Sequence, residues 1–369
     1  MTTAQNTWTI SVIIPHLSNL ERLDALLCDL KIECEITSGV EVVLVDNAST
    51  DGSSEEAEKR HPWIRMIKLQ RNYGYAGGCN RGIQRTRSRW ILLLNDDVRL
   101  RKGCLQELLS VAESNDTIAS VQPKILSLQQ PDRFDYAGGA GGMIDRFGYP
   151  YALGRIGGDL EKDYGQYDQS REIFWASGTA SLWRRATLDR IGLLDERYFA
   201  HQEEIDLAWR AWINGWRCLS APKAVVLHFG GGTLSYQAWW KMFLNHRNSL
   251  ITLAKNAQRR DLLYLLPVRF ILDHGIGAAE LLLGRYKRLP AVWLGWISFL
   301  RHYPLWIKQR KKIQELRVKN EDELEHVIYR GCILVEYLRG VRSALELAEH
   351  PVSYYIKSVK KNYDNQRTL

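Results

Sequence analysis

Short runs of β-branched and aliphatic residues recur through the first part of the chain, at 9–15, 40–46, 64–69 and 91–94. Strands that alternate with helices form right-handed βαβ units around a parallel sheet. Because such a sheet is covered on both faces, its strands are continuous aliphatic runs, as at 91–94. The pattern therefore predicts an α/β fold with a mostly parallel central sheet. Between the first two runs, leucines follow the spacing of an amphipathic helix, at Leu20, Leu23, Leu26, Leu27 and Leu30.

Polar side chains follow three of these runs at the point where each predicted strand ends. Asp46 closes the second run, Arg71 and Asn72 follow the third, and residues 95–97 follow the fourth. Parallel sheets bind ligands in the crevice beyond the carboxyl ends of their strands, so we expect these side chains to line a binding site. The residues that follow Asp46, at 47–53, are more typical of a turn and a helix cap.

A glycine-rich segment, RNYGYAGGCNRG, follows the third predicted strand. It lacks the GxGxxG spacing, which excludes a dinucleotide-binding fingerprint. One interpretation is that the glycines only allow a tight turn into a helix. The other is that a flexible backbone at a helix N-terminus approaches a ligand that carries phosphates. The candidate residues of this segment are Arg71, Asn72, Gly78 and Asn80.

Asp96 and Asp97 are adjacent carboxylates at the end of a strand that is expected to be buried. Because they repel each other, and because an unpaired charge is costly near a buried strand, we expect them beside a cation. A hard divalent cation takes oxygen ligands and bridges substrate phosphates, with one or two protein carboxylates. The alternative is that the two acids pair with Arg99 or Arg101.

The segment HQEEIDLAWRAW places three acids close together near tryptophans. In a helix, Glu203, Asp206 and Arg210 share one face. A solvated helix start explains one or two acids near the positive end of the dipole, but not the tryptophans around them. Further along, His228 ends another aliphatic run and precedes three glycines. It is either a structural histidine or a group that contacts a metal ion or a diphosphate.

The charge distribution indicates one basic face with a particular partner. The net charge is +8, and residues 255–312 alone carry twelve Lys and Arg against three acids, which gives +9. This localisation argues against a surface that binds nucleic acid generally. The six cysteines form no CxxC pair and no apolar leader precedes Ser11, so we expect a cytosolic protein without a disulfide framework or a zinc site.

The segment from 262 to 306 is rich in leucine, tryptophan and tyrosine. We find no window of about 20 apolar residues in it, so a transmembrane helix is not expected. Apolar faces mixed with basic residues and aromatics suit helices that lie in a membrane surface, where anionic lipids attract them. The alternative is an ordinary helical subdomain packed on the rest of the protein. The tail at 313–369 has a helical period, which suggests further helices that pack on the body or self-associate.

In their order, these motifs resemble glycosyltransferase family 2, inverting enzymes of the GT-A fold. SVIIP, VLVDNASTDGS, NYGYAGGCNRG and ILLLNDDV resemble its nucleotide-binding half, with NDD in place of the DxD motif. The resemblance continues through WASGTASLWRR, HQEEIDLAW, VVLHFGGGTL and NHRNSLITLAKN, and covers about residues 10–256. The rhamnosyltransferase-like branch is most similar, through GGMIDRFGYPYALGR, GQYD and EIFWASG. That branch uses dTDP- or UDP-activated sugars and builds lipid-linked polysaccharide or cell-wall linkage units.

The resemblance implies roles for the donor side of the site. Asp46 corresponds to the acid that binds the pyrimidine, Asp96 to the acid near the ribose and the metal, and Asp97 to the direct ligand of Mg²⁺ or Mn²⁺. Arg247 corresponds to the basic residue that closes over the pyrophosphate, a task that suits its fixed fork of donors. Asn95 stands where the family usually has Asp, which leaves the metal ligand intact.

The resemblance also implies roles on the acceptor side. In an inverting transfer, the acceptor hydroxyl loses its proton to a base as it attacks. Glu204 takes the position of that base and Glu203 that of its partner, although Glu in place of the family's Asp lengthens the arm by one methylene. Asp206 is the second candidate for the base, although in this pattern it resembles a structural residue. The segment under the sugar and the acceptor corresponds to Ser177, Gly178 and Thr179.

We therefore predict a GT-A domain at 1–256, with a nucleotide-binding half at about 9–125 and an acceptor half at about 126–256, followed by a basic helical domain at 257–369. The predicted function is inverting transfer of rhamnose or a similar hexose from a dTDP- or UDP-sugar to a lipid-linked or polysaccharide acceptor in cell-surface glycan synthesis. The protein is expected to be cytoplasmic, peripheral on the inner face of the cell membrane, and a homo-oligomer is a possible form.

Two other functions compete with this prediction. A nucleotidyltransferase has a similar sheet and metal-binding acids, but requires a glycine-rich loop with Arg and Lys after the first strand, and PHLSNLERL has none. The alternative is a catalytically inactive scaffold of a glycan assembly complex that binds nucleotide-sugars. A scaffold with a dead active site would show no metal-dependent donor binding.

Overall fold

The computed structural model describes residues 8–230 and 237–347, which fold around two β-sheets. The strands are β1 (Ile10–His16), β2 (Val40–Asp46), β3 (Arg65–Lys68), β4 (Trp90–Leu94), β5 (Val98–Leu100), β6 (Ile118–Ser127), β7 (Gly142–Asp145), β8 (Pro150–Ala152), β9 (Arg155–Ile156), β10 (Asp159–Leu160), β11 (Ala180–Arg184), β12 (Arg217–His228) and β13 (Ile328–Tyr329).

Helices cover the sheets and form most of the C-terminal region. They are α1 (Leu20–Ile36), α2 (Ser53–Arg60), α3 (Gly74–Gln84), α4 (Cys104–Glu113), α5 (Arg185–Ile191), α6 (Glu203–Ile213), α7 (Gln237–Asn256), α8 (Arg259–Leu282), α9 (Arg288–Arg301), α10 (Tyr303–Glu315) and α11 (Ile333–Leu338). Short 3₁₀ helices lie at Glu196–Tyr198, Glu321–Leu324 and Ala344–Glu346.

The central sheet has eight strands in the order β3-β2-β1-β4-β11-β6-β12-β5. The four strands predicted from the aliphatic runs are β1 to β4, and they pair in parallel as expected. The sheet is mixed beyond them, because β11 runs antiparallel to β4 and β6 while β12 runs parallel to β6. The α/β architecture with a mostly parallel central sheet, expected from the sequence, is therefore confirmed.

Alternate residues of the central strands enter two separate cores on the two faces of the sheet, as the period of a strand requires. On β4, Leu93 belongs to one core and Leu92 to the other, and both are at most 2% exposed. This two-sided burial explains why β4 is aliphatic along its whole length. The polar residues of this segment, at 95–97, come directly after the strand.

A second sheet of five strands, in the order β10-β9-β8-β7-β13, adjoins the first. Its edge strand β13 comes from the tail and pairs in parallel with β7, through Ile328 beside Ile144. The prediction of helices throughout 313–369 was therefore wrong for β13, because a two-residue strand leaves no period in the sequence. Residues 348–369 lie outside the described residues.

The C-terminal region is otherwise helical, as predicted. Helix α7 packs against α9 and α10, and α8 packs against α9. By length and composition alone, α8 is apolar enough to cross a membrane. This finding contradicts our expectation that no such window exists. The predicted domain boundary at 256 remains a prediction.

Candidate functional site

The carboxyl ends of β1, β2 and β4 meet at one edge of the central sheet. His16 at the end of β1 is the register partner of Asp46 at the end of β2. Asp96 follows β4, and its Oδ2 lies 2.6 Å from His16 Nδ1. The other ring nitrogen of His16 lies 2.7 Å from Ser53 Oγ. Asp96 is therefore bound to a buried imidazole and does not use the arginine proposed as an alternative, because Arg99 Nε donates to Asp29 at 2.6 Å.

Strand β12 brings His228 to the neighbouring carboxylate, Asp97. His228 pairs with Val98 of β5. Its Nε2 lies 3.3 Å from Asp97 Oδ1, and its Nδ1 lies 2.8 Å from Asp135 Oδ1. Asp97 Oδ1 is buried, and within the described residues it accepts no hydrogen bond of good geometry. The three glycines after His228 continue to residue 232, and those at 231 and 232 lie outside the described residues.

These groups fit a divalent cation. A buried carboxylate oxygen without a donor is costly unless a charge partner satisfies it. A metal-binding histidine usually donates its second N–H to a carboxylate, as His228 Nδ1 is placed to do toward Asp135. Asp97 Oδ1 and His228 Nε2 would hold the ion, with Asp135 orienting the ring. The two predicted metal ligands are thus brought together, and their role remains a prediction.

The electrostatics differ between the two adjacent acids. Burial raises the pKa of Asp96, and the hydrogen bond with His16 only partly opposes it. Burial acts in the same direction on Asp97, but contacts with His228 and then Arg22 outweigh it and lower the pKa. Burial lowers the pKa of His228, whereas Asp135 and Asp97 raise it more strongly, to about 9. A metal ion that used His228 as a ligand would therefore have to displace a proton from it.

The residues that are predicted to bind the nucleotide lie in the segments after β2 and β3, and a hydrogen bond connects these segments. Asp46 is buried, and its Oδ1 accepts from Ser49 N at 2.8 Å. Asn72 Oδ1 accepts from Asn47 Nδ2 at 3.1 Å and from Gly74 N at 2.8 Å. Asn72 and the buried Asn47 therefore shape the backbone before α3.

Two other residues of the glycine-rich segment have visible packing roles. The guanidinium carbon of Arg71, an exposed residue, lies 4.7 Å from the centre of the Tyr73 ring. A Cβ added to Gly78 would lie 3.2 Å from Pro15 Cβ and 3.4 Å from Asn47 Nδ2. The glycine thus allows α3 to approach the ends of β1 and β2 closely.

Asn80 corrects one of our predictions. Its Nδ2 donates to Leu194 O at 2.8 Å and to Glu196 Oε1 at 3.2 Å, and its Oδ1 accepts from Leu194 N at 3.2 Å. The side chain is only 4% exposed. Because its donors and acceptor already tie α3 to the segment before Glu196, we withdraw it as a nucleotide ligand.

The segment predicted to lie under the sugar touches the metal motif. Thr179 O accepts from Asn95 N at 2.9 Å, and Ser177 Oγ donates to Ala137 O. The Tyr75 hydroxyl donates to Gly178 O. Ser177, Gly178 and Thr179 therefore lie between α3 and the acids that follow β4.

The loop before α6 positions the two predicted catalytic glutamates. Tyr75 N donates to Phe199 O at 3.0 Å, and a Cβ on Gly74 would lie only 2.4 Å from the same oxygen. The backbone at Phe199 and Gln202 has positive φ, 64° and 74°, which turns the chain into the helix at Glu203. Strained backbone of this kind is frequent at functional sites.

Glu203 and Glu204 have different environments at the start of α6. Glu203 is 4% exposed and Glu204 is half-buried. Each has a buried Oε2 without a hydrogen bond to any described residue. Burial, and then the charge of Glu204, raise the pKa of Glu203 far above its usual range, and burial raises that of Glu204 to about 7. The pKa of Glu203 is thus shifted further upward than that of Glu204, so the environments of these adjacent carboxyl groups separate their acidities.

Asp206 is part of a buried network, as expected for a structural residue. It lies 3.0 Å from both Arg210 Nε and Lys255 Nζ, and it accepts from Asn256 Nδ2 at 2.8 Å. Its side chain is fully buried. The network fixes α6 against α7, so Asp206 is not free to act as a base.

Arg247 forms hydrogen bonds with the loop that precedes α6. Its Nη2 donates to Arg197 O at 3.1 Å and to Tyr198 O at 3.2 Å, and its Nε donates to Asn248 at 2.9 Å. In this conformation the guanidinium holds the backbone that precedes Glu203. The contact with a pyrophosphate that the sequence implied for Arg247 remains a prediction.

Sequence reasoning missed His16, Asp135 and Tyr75. His16 follows the first strand as plainly as Asp46 follows the second, so its strand-end position was an available signal. Asp135 lies in an irregular segment, 93 residues before the histidine that it orients. Tyr75 contacts Gly178 across 103 residues. The last two pairings had no local signal.

Comparisons with known proteins agree with this architecture. Residues 11–181 match the family model described as "Glycosyl transferase family 2". The N-acetylglucosaminyl-diphospho-decaprenol L-rhamnosyltransferase of Mycobacterium tuberculosis is 28% identical over 250 residues, which are 63% of this chain and 80% of the relative. The low-salt glycan biosynthesis hexosyltransferase Agl10 of Haloferax volcanii is 26% identical over 203 residues, which are 52% of this chain and 62% of the relative.

A solved structure supports the fold. GalNAc-T7, crystallised with UDP, GalNAc and Mn²⁺, superposes with a TM-score of 0.51 at 14% sequence identity, over 68% of this chain and 48% of that chain. The match thus spans about half the length of GalNAc-T7, and at this identity it concerns the fold alone. Over residues 11–181 the chain is therefore similar to family 2 glycosyltransferases, and over a longer stretch to a rhamnosyltransferase, with a fold of the GT-A type.

Proposed function

We propose that the protein transfers rhamnose or a similar hexose, with inversion, from a dTDP- or UDP-sugar to a lipid-linked or polysaccharide acceptor in cell-surface glycan synthesis. The relative from Mycobacterium tuberculosis, whose name includes a diphospho-decaprenol, supports a lipid-linked acceptor. Nucleotide-sugars and such acceptors meet at the inner face of the cell membrane, where we propose that the protein is peripherally bound.

The observation that carries the proposal is the buried Asp97 Oδ1, which accepts no hydrogen bond of good geometry from the described residues and lies 3.3 Å from His228 Nε2. A divalent cation, Mg²⁺ or Mn²⁺, would supply charge that stabilises the departing nucleoside diphosphate. Asp97 and His228 would hold it, and the segment Ser177 to Thr179 would lie beneath the sugar. Asp46 and Asn72 would contact the nucleoside.

Glu204 would act as the general base. The acceptor oxygen forms a bond to the anomeric carbon while the bond from that carbon to the diphosphate oxygen breaks, and Glu204 takes the acceptor's proton. Because burial raises the pKa of Glu204 to about 7, the carboxylate is a stronger proton acceptor than an exposed glutamate. Glu203, whose pKa burial raises, would lie beside the base as its partner.

The proposal is tested by calorimetry of UDP and dTDP binding with and without Mn²⁺. Asp97→Ala should abolish the Mn²⁺-dependent part of binding, while Asp132→Asn, an exposed acid with a carboxylate 3.3 Å from Lys162, should leave it unchanged. Glu204→Gln should bind the donor normally and fail to transfer sugar. If Asp97→Ala binds nucleotide with Mn²⁺ as tightly as the unmodified protein does, the metal assignment is wrong. A fully active Glu204→Gln would indicate Glu203 as the base.

The scaffold alternative makes a different prediction. A thermal-shift screen of nucleotide-sugars with Mn²⁺ identifies the donor, and its hydrolysis or transfer is then followed with the intact protein. A stabilising donor that is never consumed with lipid-linked acceptors would favour the scaffold.

A further inference from the structure

Helix α8 has the reverse of the polarity expected for a helix on a protein surface. Between Asp261 and Glu280 its only charged residues are Arg269 and Asp273, and both are at most 1% exposed. A surface helix normally turns its apolar face inward and its charges toward water. On α8 the charges face inward instead, so its outer face is apolar.

The buried charges of α8 are fully engaged with the rest of the protein. Arg269 donates to Phe147 O at 2.7 Å and to Ser249 Oγ at 2.8 Å. Asp273 accepts from Tyr149 Oη at 2.7 Å and from Trp296 Nε1 at 3.1 Å. These bonds tie α8 to α7, to α9 and to the turn between β7 and β8. The inner face of α8 is therefore fixed to the protein, and the outer face is left without a partner among the described residues.

The outer faces of α8 and α9 form one apolar surface. Leu263 and Ile271 of α8 are 80% and 69% exposed, and Leu282 at its end is 89% exposed. Trp293 and Ile297 of α9 are each 56% exposed. Soluble monomers seldom expose so many large apolar side chains on neighbouring helices, and such a surface normally marks a partner or a membrane.

A basic pocket lies at the turn that joins these two helices. It has a volume of about 310 Å³ and is lined by Met242, Glu280, Arg285, Tyr286, Lys287 and Arg288. Glu280 lies 2.9 Å from Arg288 and 3.9 Å from Arg285, so one acid faces three cations. Arg288 Nε is buried and has no hydrogen bond to any described residue. The pocket therefore has uncompensated positive charge and a free donor for an anion.

We propose that the outer faces of α8 and α9 enter a lipid bilayer and that the α8–α9 pocket binds the phosphate of a membrane lipid. Apolar side chains beside a basic pocket match the two parts of an anionic lipid, its acyl chains and its headgroup. Trp293 and Tyr286, which are exposed, suit the boundary between them. This inference rests on the proposed function only for the presence of a membrane-bound acceptor, since vesicle binding requires neither donor nor transfer.

The test is flotation of the purified full-length protein with vesicles at low salt. Three compositions are used: phosphatidylcholine alone, phosphatidylcholine with phosphatidylglycerol, and phosphatidylcholine with a polyprenyl phosphate. Binding should be strong only with the two anionic compositions. Arg285→Gln with Lys287→Gln should weaken it about 25-fold, from about 1 kcal/mol for each cation near the surface. Glu280→Gln should strengthen it, because it removes the acid that opposes the cations.

The apolar half of the surface is tested separately. Ile271→Ser with Leu282→Ser should reduce binding to all anionic vesicles, without lowering the melting temperature, because both side chains are exposed. Lys31→Gln with Lys59→Gln removes the same charge from exposed positions of α1 and α2, and Ile32→Ser removes an exposed apolar side chain from α1. Both controls should bind as the unmodified protein does.

Three results would overturn the proposal: flotation that is equal with phosphatidylcholine alone, flotation that is insensitive to the Arg285 and Lys287 changes, or loss of flotation in the α1 and α2 controls. A preference for polyprenyl phosphate over phosphatidylglycerol would identify the pocket's lipid as the acceptor type. Equal binding of the two would identify a general anionic lipid. A protein that floats as predicted but transfers no sugar would leave this inference standing and contradict the proposed function.

Discussion

His228 lies between two carboxylates, with Nδ1 2.8 Å from Asp135 Oδ1 and Nε2 3.3 Å from Asp97 Oδ1. Asp135 is 5% exposed and also accepts from Ala137 N at 2.8 Å, so its own orientation is fixed. Nδ1 is therefore placed to donate to Asp135, which would leave Nε2 for a metal ion once its proton is displaced. A carboxylate that orients a metal-binding histidine also raises the basicity of the ring.

We expect Asp135→Asn to weaken Mn²⁺-dependent nucleotide binding about 10- to 100-fold, the usual cost of losing such a partner. Nucleotide binding without Mn²⁺ should not change, because Asp135 contacts the histidine rather than the nucleotide crevice. Calorimetry under both conditions measures the effect, with Asp132→Asn as the control. Equal losses with and without Mn²⁺ would show that Asp135 acts on the fold rather than on the metal site.

The rate of transfer should depend on pH through Glu204. Because burial raises its pKa to about 7, the carboxylate is protonated and inactive below that pH. We therefore expect the rate to fall about tenfold for each pH unit below 7 and to level off above it. Initial rates from pH 5 to 9 at saturating donor give the profile. A rate that is unchanged between pH 5 and 7 would contradict the assignment of Glu204 as the base.

The same pKa shift predicts a stability effect. Glu204 binds its proton more tightly in the folded than in the unfolded state, so its contribution to the free energy of unfolding is present below pH 4.5 and is lost as the pH rises through about 7. The ionised side chain then costs on the order of 3 kcal/mol. Without ligands, Glu204→Gln should therefore be more stable than the unmodified protein at pH 8 and similar to it at pH 4.

Urea denaturation at the two pH values measures this difference. Glu58→Gln is the matched control, because Glu58 is an exposed glutamate of α2. Its free energy of unfolding should match that of the unmodified protein within about 0.5 kcal/mol at both pH values. A stabilisation by Glu204→Gln that is the same at pH 4 and pH 8 would have to come from packing rather than from the charge.

The elements of the fold that could be predicted are those with a recognisable local pattern of apolar residues in the sequence. The strands β1 to β4 were located within about one residue of their observed bounds, since each is an aliphatic run buried on both faces. Asp96 and Asp97 were found for the same reason, as polar residues directly after such a run. The strands β8, β9 and β10 have two or three residues each and gave no such signal.

The remaining details depend on long-range contacts. Asn80 and Arg247 stood in motifs whose resemblance implied donor binding, yet their side chains bond to the segments around Leu194 and Tyr198. No residue near either one in sequence indicates those partners. The charged residues of α8 are a similar case, because Arg269 and Asp273 are buried contacts whose partners nothing nearby in the sequence indicates.

The second sheet offers a prediction about packing alone. Gly142 opens β7 and exchanges backbone hydrogen bonds of 3.1 Å with Trp175, whose indole is 4% exposed and covers the glycine. A Cβ at Gly142 would lie 2.1 Å from two atoms of that ring, so Gly142→Ala must displace the indole or the strand. We expect a loss of about 2 kcal/mol in the free energy of unfolding, typical of an overpacked core. Gly158→Ala is the control, because its added Cβ would meet nothing within 4 Å. Urea denaturation measures the free energy of unfolding of the two variants. Equal values would mean that Trp175 moves aside without a loss of stability.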